Sequence, residues 1–432
     1  MNFSNDFGLG FNEGFDNVDL GGKIPEHGDG CTQCGLCLSS CPTFKISGDI
    51  RYSPMGRIQI FRNIKEDSYQ HNIEDYEALE SCLECRTCET VCPSKVPYAE
   101  LLASAKSSYT GKQKKSIYVK LILLLAQQPL LFKSVSAVSK VFVPLLLKLE
   151  KLYKSNNTPA IFLSFRYLKY ANLLLGLTSS RDDNLHDAPC VSLFTGCMSS
   201  VFDVPVLRSS INVLKQLGVD VVIPEDQACC GALHLHNAEN KKGMELALRN
   251  INTFNDANSE TIITTASGCS QMLSEYGSLA DNELTCMSSS ATRFSNQITD
   301  VSEFIVQKNL LDNLQLNPLN KVVVIHTPCT ASTLIDQQDP VTQLLSKIPG
   351  LTIKVVSSSI YCCGAGGSHL ITHGNEARKI REDLLSELID LDADIFVTSN
   401  VGCSLHIKEG LGSLKQPIEV LHPVQLLESA ML

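Results

Sequence analysis

The sequence predicts a multidomain α+β protein: a small helical, cysteine-dense domain followed by a duplicated α/β domain built on parallel sheets. Three observations predict it. Eighteen cysteines in 432 residues fall largely in clusters. Short apolar runs alternate with helical patterns only beyond about residue 186, and such alternation produces parallel sheets. One cysteine arrangement also occurs twice: Cys197, Cys229-Cys230-Gly231 and Cys269 return as Cys329, Cys362-Cys363-Gly364 and Cys403, offset by 132, 133 and 134 residues.

The chain divides by composition into an acidic leader (1–22), the cysteine-dense domain (23–105), a basic Leu-rich helical linker (106–185) and two repeats (186–310 and 311–432). With 44% apolar and 19% charged residues it is an ordinary globular sequence, long enough for sizeable cores. Its net charge of -10 argues against nucleic acid as a partner. The leader carries four acidic and no basic side chains before Lys23, so it is expected to be flexible and is neither a secretory signal nor a transit peptide. A reducing, cytoplasmic location follows. Disulfides are disfavoured there, and clustered cysteines are expected to be metal or cluster ligands, or catalytic thiols.

In the cysteine-dense domain, Cys31, Cys34, Cys37 and Cys41-Pro42 spell CxxCxxCxxxCP, and Cys82, Cys85, Cys88 and Cys92-Pro93 repeat it. This is the two-cluster ferredoxin pattern. Three cysteines at steps of three wrap one loop around a cubane corner, while the fourth starts a new segment and serves the opposite cluster. One [4Fe-4S] cluster is therefore assigned to Cys31, Cys34, Cys37 and Cys92, the other to Cys82, Cys85, Cys88 and Cys41. Zinc is the competitor, but structural zinc usually takes two pairs of ligands. Arg51 to Ile64, between the motifs, is amphipathic and predicts a helix.

In the repeats, apolar runs at 191–195, 219–223, 261–265, 321–325, 352–356 and 395–398 predict buried strands, and 204–217 and 375–391 predict helices. Each repeated cysteine follows a predicted strand. Loops at the carboxyl ends of parallel strands converge on a crevice, so Cys197, Cys229, Cys230 and Cys269 are expected to meet, as are Cys329, Cys362, Cys363 and Cys403. Each set is expected to hold a further iron-sulfur cluster or to form redox thiols. Core cysteines inherited by duplication would instead sit within strands.

The order ferredoxin pair, linker, two CCG repeats, with Gly56-Arg57-Ile58, Ala266-Ser-Gly-Cys269, Glu275-Tyr-Gly277 and Ser399-Asn-Val-Gly-Cys403, resembles the iron-sulfur subunit of bacterial glycolate oxidase (glycolate dehydrogenase) over roughly residues 25–425. The resemblance implies an oxidoreductase subunit, not catalytic alone, that takes electrons from FAD-binding partner subunits oxidising glycolate to glyoxylate and passes them toward quinone. The architecture is shared with a component of the anaerobic glycerol-3-phosphate dehydrogenase, with lactate-utilisation proteins and with heterodisulfide reductase subunits. Equivalent relays for those flavoproteins, or a thiol-disulfide enzyme, are the alternatives. The broader CCG pattern ends in CxxC; here Met272 and His406 occupy the last position. The expectation for His406 is a hydrogen bond to a carbonyl or, alternatively, an imidazole ligand. Met272 is expected to fill core.

Other signals are weaker. Gly364, Gly366 and Gly367 read as tight turns beside cysteines rather than a phosphate loop, and Gly8, Gly10 and Gly14 lack the strand and helix of a dinucleotide site. No flavin or nicotinamide site is readable. Cys190 and Cys286 read as plain thiols; His234, His236, His326, His369 and His373 read as structural. Residues 101–180 carry twelve basic residues against one acid, Glu150. Their leucine runs are too short to span a bilayer. They suit either peripheral contact with the inner face of the cytoplasmic membrane or a linker packed between domains.

Overall fold

The computed structural model describes residues 30–66, 68–109, 115–128, 131–136, 171, 189–257, 259–283, 288–312, 314–332, 339–356, 362–412 and 418–431. The acidic leader, most of the basic stretch and Cys286 lie outside them.

The N-terminal domain is helical: Pro42–Ser47, Pro54–Ile64, Ile73–Glu80, Thr87–Thr90 and Tyr98–Ser108. The expected helix over 51–64 begins instead at Pro54, behind a short 3-10 turn at Ile50–Tyr52. Pro54 is at its first position and the Ser53 hydroxyl accepts the Gly56 N–H at 3.0 Å, a capped start. Its buried face meets Tyr98, Leu101 and Leu102 in a core that includes Ile58, Phe61, Leu79 and Tyr109.

The two repeats are two four-stranded parallel sheets. In the first, β1 (Cys190–Leu193), β2 (Asp220–Val222), β3 (Ile262–Thr264) and β4 (Ile298–Asp300) lie in the order β2-β1-β3-β4. In the second, β5 (Lys321–His326), β6 (Leu351–Val355), β7 (Ile395–Thr398) and β8 (Glu419–Leu421) lie in the order β6-β5-β7-β8. The order is the same, and so is the central register: Leu193 pairs with Ile263, and Ile325 with Val397. Strands β4 and β8 were not expected. Each is three residues long and takes its place by pairing with the preceding strand rather than by a strong apolar run.

One core joins the sheets. Val191, Leu193, Val221 and Ile263 pack with Val323, Ile325 and Val397 through Leu207, Leu214, Leu426 and Leu427. At the carboxyl ends, Ser267 N–H donates to the Ser399 carbonyl (2.9 Å), Asn400 donates to Ser267 Oγ (3.0 Å), and Ser267 Oγ lies 2.7 Å from Thr330 Oγ1. This seam therefore places the ends bearing both thiol sets side by side.

The helix Ile117–Gln127 runs over the seam. Leu125, with Phe132 of the next turn, packs on Val201 and Phe202 of the first repeat and Val401 and Leu405 of the second. Its other side leaves Ile117 (69%), Leu121 (51%) and Leu124 (45%) exposed. Among the described residues no helix is long and apolar enough to cross a membrane.

Candidate functional site

Both ferredoxin motifs fold the same way. The residues flanking the second cysteine are left-handed: Gln33 (φ 57°) and Gly35 (φ 79°) around Cys34, Glu84 (φ 53°) and Arg86 (φ 58°) around Cys85. A non-glycine residue there costs roughly 1–2 kcal/mol and persists where its surroundings demand it. The coiling turns amides onto sulfur: Gln33 N–H to Cys31 Sγ at 3.4 Å, Glu84 N–H to Cys82 Sγ at 3.5 Å.

Cys31, Cys34, Cys37, Cys88 and Cys92 line one cavity, with Met55, Ile58 and Val96 among its apolar walls and no carboxylate or imidazole. An all-thiol, apolar lining fits a cluster bound by thiolates. Among the described residues, no three Cys, His, Asp or Glu side chains form a group suited to a single metal ion.

Cys41 does not line this cavity. It is buried against Thr43, Sγ to Oγ1 3.2 Å, and with burial, Cys85 and Cys82 it raises the Cys88 thiol pKa. Between Cys41 and Cys82 lies Arg57, 1% exposed, donating to the Ala78 carbonyl (2.7 Å), Ser81 Oγ (2.9 Å) and Thr43 Oγ1 (3.2 Å). Burial opposes its charge, but Tyr98, Cys82 and Cys41 outweigh that and hold the guanidinium protonated. A fixed cation favours the more negative, reduced state of a cluster beside it.

The repeat thiols come together as their place beyond the strands requires. In the first repeat Cys197 Sγ lies 3.3 Å from Cys229 Sγ. Cys230 accepts from Cys229 and Cys269, which pulls its pKa down. The turn is pinned by Asn250, which accepts Ala228 N–H (2.7 Å) and donates to the Cys229 carbonyl (3.0 Å), and by Tyr276 O–H on the Cys230 carbonyl (2.8 Å). In the second repeat contacts run from Cys329 to Cys362 to Cys363 to Cys403, with Gly364 N–H on Cys362 Sγ at 3.4 Å.

The two broken CxxC positions are both structural in their contacts. Met272 is buried among Cys229, Phe254 and Phe294. His406 is fully buried, its Nε2 3.1 Å from the Ala377 carbonyl, and its pKa is lowered to about 4, first by burial and then by Arg381.

Two further residues belong to the site. His234 and His369 occupy the helices that follow the two Cys-Cys-Gly turns, 135 residues apart. His369 is 2% exposed and both ring nitrogens are without a partner; His234 is 1% exposed, with Nδ1 unpartnered and Nε2 2.9 Å from Gln127 Nε2. A neutral imidazole always carries one N–H, and buried donors find acceptors. The donor set that bears on a bound group is the linked thiols Cys329, Cys362, Cys363 and Cys403, which suit a centre bound by thiolates. Sequence reasoning missed Arg57 and His369 as site residues. The signals were an arginine on the apolar face of an amphipathic helix, and a histidine recurring at nearly the cysteine offset.

Residues 27–96 match the 4Fe-4S dicluster domain, and residues 191–274 and 323–408 each match the cysteine-rich domain CCG. The chain is similar to the probable glycolate oxidase iron-sulfur subunit of Bacillus subtilis, 29% identical over 93% of both chains. It is also similar to the glycolate oxidase iron-sulfur subunit of Escherichia coli, 27% identical over 90% of this chain and 92% of that one. Lactate utilization protein A of Bacillus licheniformis is 27% identical over 55% of this chain and 99% of its own length.

Proposed function

We infer that this chain, which belongs to the proteins joining a 4Fe-4S dicluster domain to two CCG domains, is the electron-transfer subunit of a hydroxy-acid-oxidising complex, and that the acid is glycolate. The observation that carries the reading is the similarity to glycolate oxidase iron-sulfur subunits across nine-tenths of the chain, covering ferredoxin pair and both repeats together. Lactate is the second reading, on a similarity to 55% of the chain.

In this reading Cys31, Cys34, Cys37 and Cys92 hold one [4Fe-4S] cluster, and Cys82, Cys85, Cys88 and Cys41 the other. Clusters supply one-electron steps between a two-electron flavin on FAD-binding partner subunits and a quinone. The partner meets the first cluster, where Cys34 is exposed and Leu36 is 57% exposed. The exposed Ile117, Leu121 and Leu124, within the basic stretch, suit peripheral contact with an anionic leaflet.

Anaerobically purified chain is expected to contain about eight irons with matching acid-labile sulfide in the ferredoxin pair. Glycolate, added with the flavin subunits of a glycolate oxidase, should reduce them, and lactate should not. Stoichiometric zinc without sulfide, or reduction by lactate alone, overturns the reading. Binding of the complex to anionic liposomes should weaken as the Debye length falls from about 10 Å at 0.1 M salt to about 3 Å at 1 M. It should also weaken when Leu121 and Leu124 are changed to Gln.

A further inference from the structure

The loop of residues 82–88 is wedged against both repeats, and its contacts with the two differ in kind. Toward the first repeat they are ionic. Arg86 pairs with Glu275, His236 Nε2 lies 3.3 Å from Glu84, and Lys106 donates to Glu84 at 2.7 Å and to the His236 carbonyl at 3.1 Å. Toward the second repeat they are steric. A methyl added to Gly366 would collide with Leu83 Cδ2 and lie 3.4 Å from the Leu83 Cα, so the backbones of the two cysteine turns are in contact there. Gly366 is left-handed (φ +47°), which bends the second-repeat turn onto the loop.

Cys85 sits at this contact. Leu83, two residues before it, is the side chain that meets Gly366, three residues after Cys363, and Cys329 of the second repeat lies within electrostatic reach of its thiol. In the first repeat Cys229 and Cys230 are instead buried in a core with Phe194, Phe254 and Phe294. His369 stands at the same place. It stacks on His373 with ring centroids 4.8 Å apart, its Cβ lies 3.1 Å from the methyl position on Gly366, and the charge of Arg57, which adjoins Cys41 and Cys82, reaches it. Both of its nitrogens lack a partner.

We propose that the second repeat, and not the first, receives electrons from the ferredoxin pair. The transfer is handed from the Cys85 loop to a centre on Cys329, Cys362, Cys363 and Cys403, with His369 as a positioning donor at the junction. This rests on the cluster reading above. Each event moves one electron and no proton: the Cys41, Cys82, Cys85 and Cys88 site is oxidised by one and the second-repeat site reduced by one. The first repeat is reached only onward, across the seam where Ser267, Thr330 and Asn400 hydrogen-bond.

The test uses the full, iron-loaded chain, reduced by a substoichiometric pulse of dithionite and freeze-quenched for EPR, together with redox titration of each cluster. Cys362→Ser and His369→Gln should shift the midpoint potential of the cluster bound by Cys82, Cys85 and Cys88. Cys362→Ser should also slow its loss of an electron at least tenfold. Cys229→Ser and His234→Gln should leave both quantities unchanged. His369→Gln keeps every thiol, so it reports even if a serine variant loses iron. A shift from the first-repeat variants equal to that from the second, or no shift from either second-repeat variant, overturns the proposal. A chain that binds no iron defeats the cluster reading itself.

Discussion

The two repeats carry the same sheet order and the same cysteine spacing, yet their thiol sets lie in different surroundings. In the first set Cys197, Cys229 and Cys230 are buried beside Phe194, Phe254, Phe294 and Tyr276, and Cys269 is half-buried. In the second, Cys363 and Cys403 are buried, Cys329 and Cys362 are half-buried, and the turn after Cys363 meets the ferredoxin loop at Leu83. A parallel sheet sets where the thiols emerge, and duplication copies that placement; a third body docking differently on the two copies then separates the roles. The docking is also divided. Arg86–Glu275, Lys106 to His236 and Lys115–Glu239 (2.5 Å) tie the ferredoxin domain and linker to the first repeat, while Lys45–Asp383 (2.7 Å) and the contact of the Gly366 turn with Leu83 tie the domain to the second.

The largest effect expected is loss of the cluster beside the second repeat. Cys41→Ala should remove about four of roughly eight ferredoxin-pair irons and leave the Cys31, Cys34, Cys37 and Cys92 site loaded, read by iron analysis and Mössbauer spectroscopy. Loss of the Cys31 site instead would uncross the ligation and move the electron hand-over away from Cys85.

Next come the glycines after the paired cysteines. Gly364 (φ +79°) leaves no room for a methyl against the Ala377 carbonyl; at Gly231 (φ +85°) the methyl would lie 3.0 Å from the Gly243 carbonyl. Gly364→Ala should cost about 3–4 kcal/mol, strain plus overpacking, and Gly231→Ala about 1–2 kcal/mol. Denaturant midpoints would check the order; equal costs would mean that the two turns are equally packed.

A smaller difference is expected in acid. Burial lowers His406 to about 4 and His422 to about 3 in the second repeat, and raises Asp203 and Asp300 to about 6 in the first. Between pH 6 and 4 the unfolded histidines bind more protons than the native ones, so the second repeat loses stability as pH falls. The native aspartates bind more than the unfolded ones, so the first repeat gains. Glu376 and His234 run the other way with smaller shifts. Hydrogen exchange corrected for intrinsic rates should show protection falling in the second repeat and holding in the first.

The smallest effect is Arg86→Gln. The Arg86–Glu275 pair is partly exposed, 29% and 39%, so its loss should cost under about 1 kcal/mol and leave iron content unchanged. A larger loss in thermal unfolding would show that charge, not loop packing, seats the ferredoxin domain.

Much of this was legible in the chain itself, because the signals are local. The steps of three between Cys31, Cys34 and Cys37 have one compact solution, and the left-handed Gln33 and Glu84 realise it in both copies. Strands such as Lys321–His326 announced themselves as continuous apolar runs, as sheets covered on both faces do. Strands β4 and β8 did not, since three residues carry too little pattern and their pairing partners supply the rest.

The sequence by itself determined the domain order, the duplication, the thiol-bearing turns and the parallel sheets, all of which follow from spacing and periodicity within a few tens of residues. How each repeat meets the ferredoxin loop was decided only in three dimensions. Leu83 meets Gly366 across 283 residues of sequence. No local pattern encodes a contact between chain segments that far apart. It exists because the two sheets share one core and the linker helix covers their seam, which brings both thiol-bearing ends to the ferredoxin loop.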